Sequence, residues 1–239
     1  MSKQRSLVNL AAIGVSLSAT LAGCSQVLDI EEAHVDPTLG GTTAGSAGKS
    51  QAGIGLDDNG APLVDAGALC DEYCSTVSTG CTDTHAQYID YAACLASCVD
   101  FPAGSPGDTE GNTINCRLGY AQKAATEPYT YCTWAGPGGD GKCGSNCDGF
   151  CTIMMQECTA SSTGNSADYF PTLDDCESTC AALPDIGNYA ATNSTQQVGS
   201  DQVECRLYHA DAAAATNDPM THCPHAMGLS LCVDSTESY

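Results

Sequence analysis

Three histidines near the end of the chain are the residues whose type and spacing best suit metal chemistry. His222 follows His209 by thirteen residues, and His225 comes three positions later. Neutral imidazole is a ligand of zinc, copper and haem iron. Three rings from two segments could therefore hold one such ion, in a metal- or haem-binding redox accessory protein. The alternative is that these positions take ring-shaped side chains packed over a disulfide, and that the protein has no cofactor.

Motifs of the common hydrolases are missing from the sequence. It has no Gly-x-Ser-x-Gly nucleophile elbow and no His-Glu-x-x-His zinc-protease motif. The adjacent acids Asp174 and Asp175 fall in the first turn of a predicted helix. A carboxylate there stabilises the helix dipole without any catalytic role. We therefore expect a protein that is not an enzyme.

Cysteine is the most informative residue type, with seventeen in 239 residues. All but Cys24 fall into two sets of eight with matching spacing. The first set is Cys70, Cys74, Cys81, Cys94, Cys98, Cys116, Cys132 and Cys143; the second is Cys147, Cys151, Cys158, Cys176, Cys180, Cys205, Cys223 and Cys232. No C-x2-C occurs, so the spacings of zinc ribbons, thioredoxins and c-type haem sites are missing. We expect sixteen disulfide-bonded cysteines in an oxidising compartment.

Other residues repeat in register with the cysteines. Arg117-Leu118 aligns with Arg206-Leu207, and prolines align after the second and third predicted helices of each set. The pattern predicts two homologous repeats, repeat one at 67–144 and repeat two at 145–239, which pack against each other. Each arginine is expected to pair with a local carboxylate. The repeat-one positions that align with the three histidines are Tyr120, Tyr131 and Trp134.

The spacing predicts three helices per repeat. C-x3-C places two thiols one helical turn apart, and a third cysteine seven residues later returns to the same face. A second helix is expected after Asp90 or Thr172, each placed as an N-cap. A third, rich in alanine, is expected at about 114–126 and 203–216. The fold class is mainly α, small and disulfide-rich, with a stapled hairpin, a third helix and a cysteine-bearing loop per repeat.

Each of the first two helices carries a C-x3-C pair. If the helices form an antiparallel hairpin, the cysteine farther from the turn in one helix faces the cysteine farther from the turn in the other, and the two nearer cysteines also face each other. The predicted bridges are then Cys70–Cys98, Cys74–Cys94, Cys147–Cys180 and Cys151–Cys176. The arrangement resembles the α-hairpinin motif, which implies a shape and no activity. Eight cysteines allow 105 pairings. For the rest of repeat one, Cys81–Cys132 and Cys116–Cys143 are preferred if the third helix runs from one end of the hairpin to the other.

The N-terminus has the features of an export signal. Two cations precede an apolar stretch, 7–21, that is too short to remain as a membrane span. Leu21-Ala22-Gly23-Cys24 resembles the lipobox of bacterial lipoproteins. That resemblance implies cleavage of a signal peptide, 1–23, and acylation of Cys24, for example with palmitate. Ser25, where Asp would retain a lipoprotein in the inner membrane, implies the outer membrane. The alternative is an ordinary secretory signal with a cysteine there by chance.

Composition excludes some partners and predicts a tether. The formal net charge is −22, and the signal peptide carries two of the seven cationic residues. Such a chain is repelled by phosphate, so nucleic acid is not an expected partner. Residues 24–66 are rich in Gly, Ala, Ser and Thr with no hydrophobic period, which predicts a flexible lipidated tether.

The whole pattern resembles tandem cysteine-rich lipoproteins of Gram-negative envelopes. The expected function is that of a lipid-anchored binding or structural module in the cell envelope. Its expected partners are the membrane, through the N-terminal lipid, and an envelope protein or a glycan.

Overall fold

The structure, a computed structural model, describes residues 66–193 and 201–233. The predicted signal peptide, Cys24 and the tether up to residue 65 lie outside the described residues. The described residues form helices and loops with no β-strand, and their cysteines form eight disulfides. The predicted fold class, mainly α and disulfide-rich, is confirmed.

Four α-helices build repeat one. They are α1 (Ala66–Gly80), α2 (Tyr91–Cys98), α3 (Ile114–Ala124) and α4 (Pro128–Ala135), with a short 3₁₀ helix at Asp83–His85. The predicted N-cap of α2 is present, since the Asp90 carboxylate accepts a hydrogen bond from the Ala93 N–H at 2.8 Å. Thr113 caps α3 in the same way, at the Cys116 N–H. These caps supply acceptors for amides that the helix itself leaves unpaired.

Repeat two has the same order of long helices. They are α5 (Asn146–Glu157), α7 (Leu173–Cys180), α8 (Val203–Thr216) and α9 (Pro219–Ala226), with a single turn, α6 (Ala160–Thr163), inserted after α5. Ser145 and Asp148 form a capping box at the start of α5. Thr172 caps α7, as its position predicts.

The fourth helix of each repeat stands where the sequence predicts a cysteine-bearing loop. Both α4 and α9 begin with a proline, Pro128 and Pro219, at the first helical position. Proline is favoured there because its fixed φ suits a helix and its missing N–H would have no partner. The aligned prolines are therefore the sequence feature that could have predicted a helix at each of these places. At eight residues each, these helices are too short to form without tertiary contacts.

All eight disulfides join cysteines of the same repeat. The hairpin bridges have the predicted pairing, and so do Cys81–Cys132 and Cys116–Cys143 in repeat one. The equivalent bridges of repeat two are Cys158–Cys223 and Cys205–Cys232. Each disulfide typically stabilises a fold by about 2–4 kcal/mol. The bridges thereby supplement a core with few large apolar side chains.

Two of the large core side chains occupy equivalent places in the two hairpins. Tyr73 of α1 and its counterpart Phe150 of α5 are both fully buried. The Tyr73 hydroxyl donates to the Ala135 carbonyl at 2.6 Å and lies 2.8 Å from the Tyr88 hydroxyl. These bonds satisfy a phenol that would otherwise be costly to bury.

The two repeats are joined by hydrogen bonds and by close packing. The Ala191 N–H donates to the Ala86 carbonyl at 2.8 Å, and the Gln87 amide donates to the Tyr189 carbonyl at 2.9 Å. The Ser97 hydroxyl of α2 donates to the Asp211 carboxylate of α8. Burial raises the pKa of Asp211 to about 7, against the effect of this bond. The contact between the two repeats thus includes hydrogen bonds from both backbone and side chains.

A buried acid connects α8 to the loop that follows α7. Glu204 Oε1 accepts hydrogen bonds from the backbone N–H groups of Ile186 (2.9 Å) and Gly187 (2.7 Å). Its Oε2 is buried and has no donor among the described residues. Burial, and next the adjacent Asp185 carboxylate, raise the pKa of Glu204 to about 7. The protonated form of Glu204 is therefore favoured, because a neutral carboxyl group is less costly to bury and is not repelled by the Asp185 carboxylate.

We expect this acid to make stability fall as the pH rises. Folded Glu204 keeps its proton up to about pH 7, whereas the unfolded side chain loses it near its ordinary pKa. Its stabilising contribution is therefore complete in acid and is lost as the pH passes through the folded pKa. Thermal unfolding of Glu204→Gln, a neutral isostere, should change less between pH 5 and pH 8 than that of the unmodified protein. Glu72→Gln, at an exposed position of α1, is the matched control. Equal pH dependence in all three proteins would contradict this assignment.

Candidate metal centre

The three histidines lie on the last two helices of repeat two. His209 is in the middle of α8, and its side chain is 4% exposed. His222 and His225 lie one turn apart on α9, are half-buried, and flank Cys223. The Cys158–Cys223 bridge ties α9 to the residue that follows α5. This bridge therefore fixes α9 covalently, and the three imidazoles lie where α8 and α9 meet.

The imidazole rings converge on one another. His209 Nδ1 lies 3.3 Å from His222 Nδ1, and these two rings are stacked with centroids 5.6 Å apart. The His225 ring stands edge-on to His209 at 4.8 Å. One nitrogen from each of the three rings lies within 4.8 Å of the others. The convergence that the spacing suggested is present in the structure.

The surroundings favour the neutral form of two of these rings. Burial, and next the neighbouring His225, lower the pKa of His222. Burial also lowers the pKa of His225. The Nδ1 atom of His225 is buried and has no hydrogen-bond partner among the described residues. Neutral imidazole is the form that binds metal, and an unpaired buried nitrogen is costly unless something occupies its lone pair.

Repeat one holds an aromatic cluster of the same geometry. Tyr120 and Tyr131 are stacked at 6.0 Å, and Trp134 stands edge-on to Tyr120 at 5.1 Å. The interplanar angles, 21° and 81°, are close to the 26° and 78° of the histidine cluster. Ring packing between two helices is thus a property of both repeats. Only repeat two places imidazole nitrogens at those positions.

A second group of possible ligands shares His209 with the first. The sulfur atoms of Cys205 and Cys232 also lie within 4.8 Å of a nitrogen of His209. These two cysteines are bonded to each other, so neither offers a thiolate to a metal. The candidate site therefore consists of His209, His222 and His225.

The two arginines that align between the repeats, Arg117 and Arg206, differ in their partners. Arg206 pairs with the Asp201 carboxylate at 2.6 Å, as predicted. For Arg117 the prediction is wrong, because its bonds go to the carbonyls of Gly136 (3.0 Å) and Pro137 (2.8 Å) and to the Asn112 amide oxygen. Arg117 is fully buried, and its guanidinium lies 4.0 Å from the centroid of the Phe101 ring. A buried loop with several inward carbonyls explains the difference.

The comparisons with known proteins concern mainly repeat one. The sequence model of a protein family, the BfoA family C-terminal domain, matches residues 57–148. That span contains all eight cysteines of repeat one and the first cysteine of repeat two. The match covers less than half of the chain, and it is consistent with a cysteine-rich, disulfide-bonded protein. No curated protein and no solved structure matches the chain. Among the described helices, none is long and apolar enough to cross a membrane.

Proposed function

We propose that this protein is a lipid-anchored component of the bacterial cell envelope, in which a disulfide-stabilised helical unit serves as a binding module. The observation that carries the proposal is the use of the cysteines. Sixteen of them form eight bridges, and Cys24, at the end of a lipobox-like segment, is the one left over. A framework of this kind persists only where thiols are oxidised, which supports export.

The proposed arrangement is an anchor, a tether and a displayed unit. Acyl chains on Cys24 would hold the N-terminus in the outer membrane, since several chains together anchor far more firmly than one. The glycine-rich segment up to residue 66 would separate the helical unit from the lipid surface. With no catalytic motif in the sequence, the proposal assigns the protein no enzymatic activity. Its partner would be an envelope protein or a glycan.

Replacing Cys24 with Ala tests the anchor. The variant should not be acylated, because its side chain has no sulfur to accept the lipid, and it should leave the membrane fraction or keep its signal peptide. Detergent partitioning and immunoblotting of fractionated cells measure this. Ser25→Ala, a neighbouring change that leaves the thiol intact, is the control and should fractionate like the unmodified protein. A Cys24→Ala product that has lost residues 1–23 and still partitions with the membrane like the unmodified protein would overturn the proposal.

Metal binding is a second candidate function, and the convergence of His209, His222 and His225 favours it. Three imidazole nitrogens that meet on one side suit a single zinc or copper ion. Haem fits less well, since its ring already occupies four positions of the iron and leaves only two axial ones. With this second function, the protein would be a metal-binding accessory protein anchored in the cell envelope.

A further inference from the structure

The geometry points to a three-histidine centre that leaves one coordination position of its metal open to an external ligand. This inference rests on the second candidate function above, and it concerns what the bound ion could do. A metal with an open position can exchange water for a small anion or for a donor atom of a partner. A metal whose coordination positions are all occupied by protein ligands could not exchange ligands in this way.

The distance between two of the ligand atoms fits a tetrahedral ion. Two nitrogens bound at about 2.0–2.1 Å to a tetrahedral zinc ion lie about 3.3–3.4 Å apart. His209 Nδ1 and His222 Nδ1 are 3.3 Å apart. No large movement of α8 against α9 is therefore needed for these two atoms to share one ion.

The third ring carries a nitrogen that lacks a hydrogen-bond partner. His225 Nδ1 is buried and unpaired among the described residues, while the three rings offer nitrogens within 4.8 Å of one another. A metal ion would take up this lone pair. In repeat one no polar atom of Tyr120, Tyr131 or Trp134 is both buried and without a hydrogen-bond partner, and the Tyr120 hydroxyl, at the place of His209, donates to the Thr109 carbonyl at 3.1 Å. The unpaired nitrogen is thus specific to repeat two.

The described residues supply three ligands and no fourth. The group formed by the three histidines contains no carboxylate, and the neighbouring sulfurs of Cys205 and Cys232 are held in a disulfide. Structural zinc sites are usually closed by four protein ligands, whereas three protein ligands leave a position for water or substrate. His222 and His225 are half-buried, so this position lies near the protein surface. A small anion could therefore reach it.

Cobalt(II) is the probe for the test, since its visible absorption reports both tetrahedral binding and changes in the fourth ligand. The full-length protein in detergent is titrated with Co²⁺, and the loaded protein is then titrated with azide. We expect one Co²⁺ per chain with intense visible bands, and a saturable shift of those bands by one azide per metal. A spectrum that azide leaves unchanged would overturn the open position and keep the metal site. Absence of tetrahedral Co²⁺ binding would overturn the metal function together with this inference.

Variants identify the ligands. His222→Tyr with His225→Trp introduces the residues that repeat one uses at these places, so the rings still pack and the helices should remain folded. We expect this double variant to lose the cobalt spectrum while its circular dichroism stays unchanged. His85→Tyr, in repeat one beside Tyr129, is the matched histidine control and should keep full binding. If the double variant binds Co²⁺ with the same spectrum, the site does not consist of these histidines.

Discussion

Arg117→Met is expected to destabilise repeat one strongly. The methionine fills much of the volume but leaves the buried carbonyls of Gly136 and Pro137 without their donor. A buried acceptor that loses its partner costs about 1–3 kcal/mol, so the free energy of unfolding should fall by about 4 kcal/mol. The lost contact with the Phe101 ring adds to this effect. Urea unfolding followed by the fluorescence of Trp134, the only tryptophan, measures it.

Arg206→Met is the matched control for Arg117. Arg206 occupies the same place in repeat two, but its partner Asp201 is 35% exposed and its bond to the Ala226 carbonyl is long, at 3.4 Å. An ion pair in contact with solvent contributes about 1 kcal/mol or less. The two variants should therefore differ clearly in urea midpoint when unfolding is followed by circular dichroism. An equal decrease in urea midpoint for the two variants would mean that the hydrogen bonds from Arg117 to the loop carbonyls do not stabilise the protein.

Removing the Cys158–Cys223 bridge is expected to lower both stability and metal binding. The bridged cysteines are 65 residues apart in sequence, and a cross-link of that length is worth about 4 kcal/mol in the chain-entropy account. The bridge also fixes α9, on which His222 and His225 stand to either side of Cys223. The double variant Cys158→Ala with Cys223→Ala should unfold at lower urea concentration and bind Co²⁺ more weakly.

The equivalent bridge of repeat one separates these two effects. Cys81–Cys132 spans 51 residues and holds α4 in the same way, but α4 bears Tyr131 and Trp134 instead of histidines. Its removal by Cys81→Ala with Cys132→Ala should cost a similar free energy of unfolding and leave Co²⁺ affinity unchanged. If both double variants lose metal equally, the bridges act on the whole unit and α9 has no special role. If neither loses stability, the chain-entropy estimate does not apply here.

Much of the hairpin was predictable because its signals are local. Cys147, Cys151 and Cys158 follow the helical period, and Asp90 and Thr172 mark helix starts by side-chain chemistry that acts within one turn. An antiparallel arrangement of the first two helices of each repeat is then enough to predict the four disulfides between them. The short helices α4 and α9 were missed because eight residues carry little periodicity and their stability depends on packing.

The details of the candidate site depend on contacts that spacing cannot specify. The sequence places three histidines in one region, but the 3.3 Å approach of His209 to His222 depends on how α8 and α9 cross. The role of Arg117 depends on a loop, 136–138, whose carbonyls turn inward beneath α3. The comparison of the repeats indicates packed rings at these positions, since Tyr120, Tyr131 and Trp134 align with the three histidines, but it cannot give the distances between the rings. The sequence does contain a difference between the two arginines, because Asp201 lies five residues before Arg206 and the uncharged Asn112 lies five residues before Arg117.

The intact mass of the protein extracted from the envelope without reductant tests the central claim most directly. The account predicts a chain that starts at Cys24, carries acyl groups, and lacks two hydrogens for each of eight disulfides. Alkylation under denaturing conditions should add nothing before reduction and sixteen labels after it. A mass without acyl groups, or one that still includes residues 1–23, would contradict the lipid anchor. Labelling before reduction would contradict the complete disulfide framework.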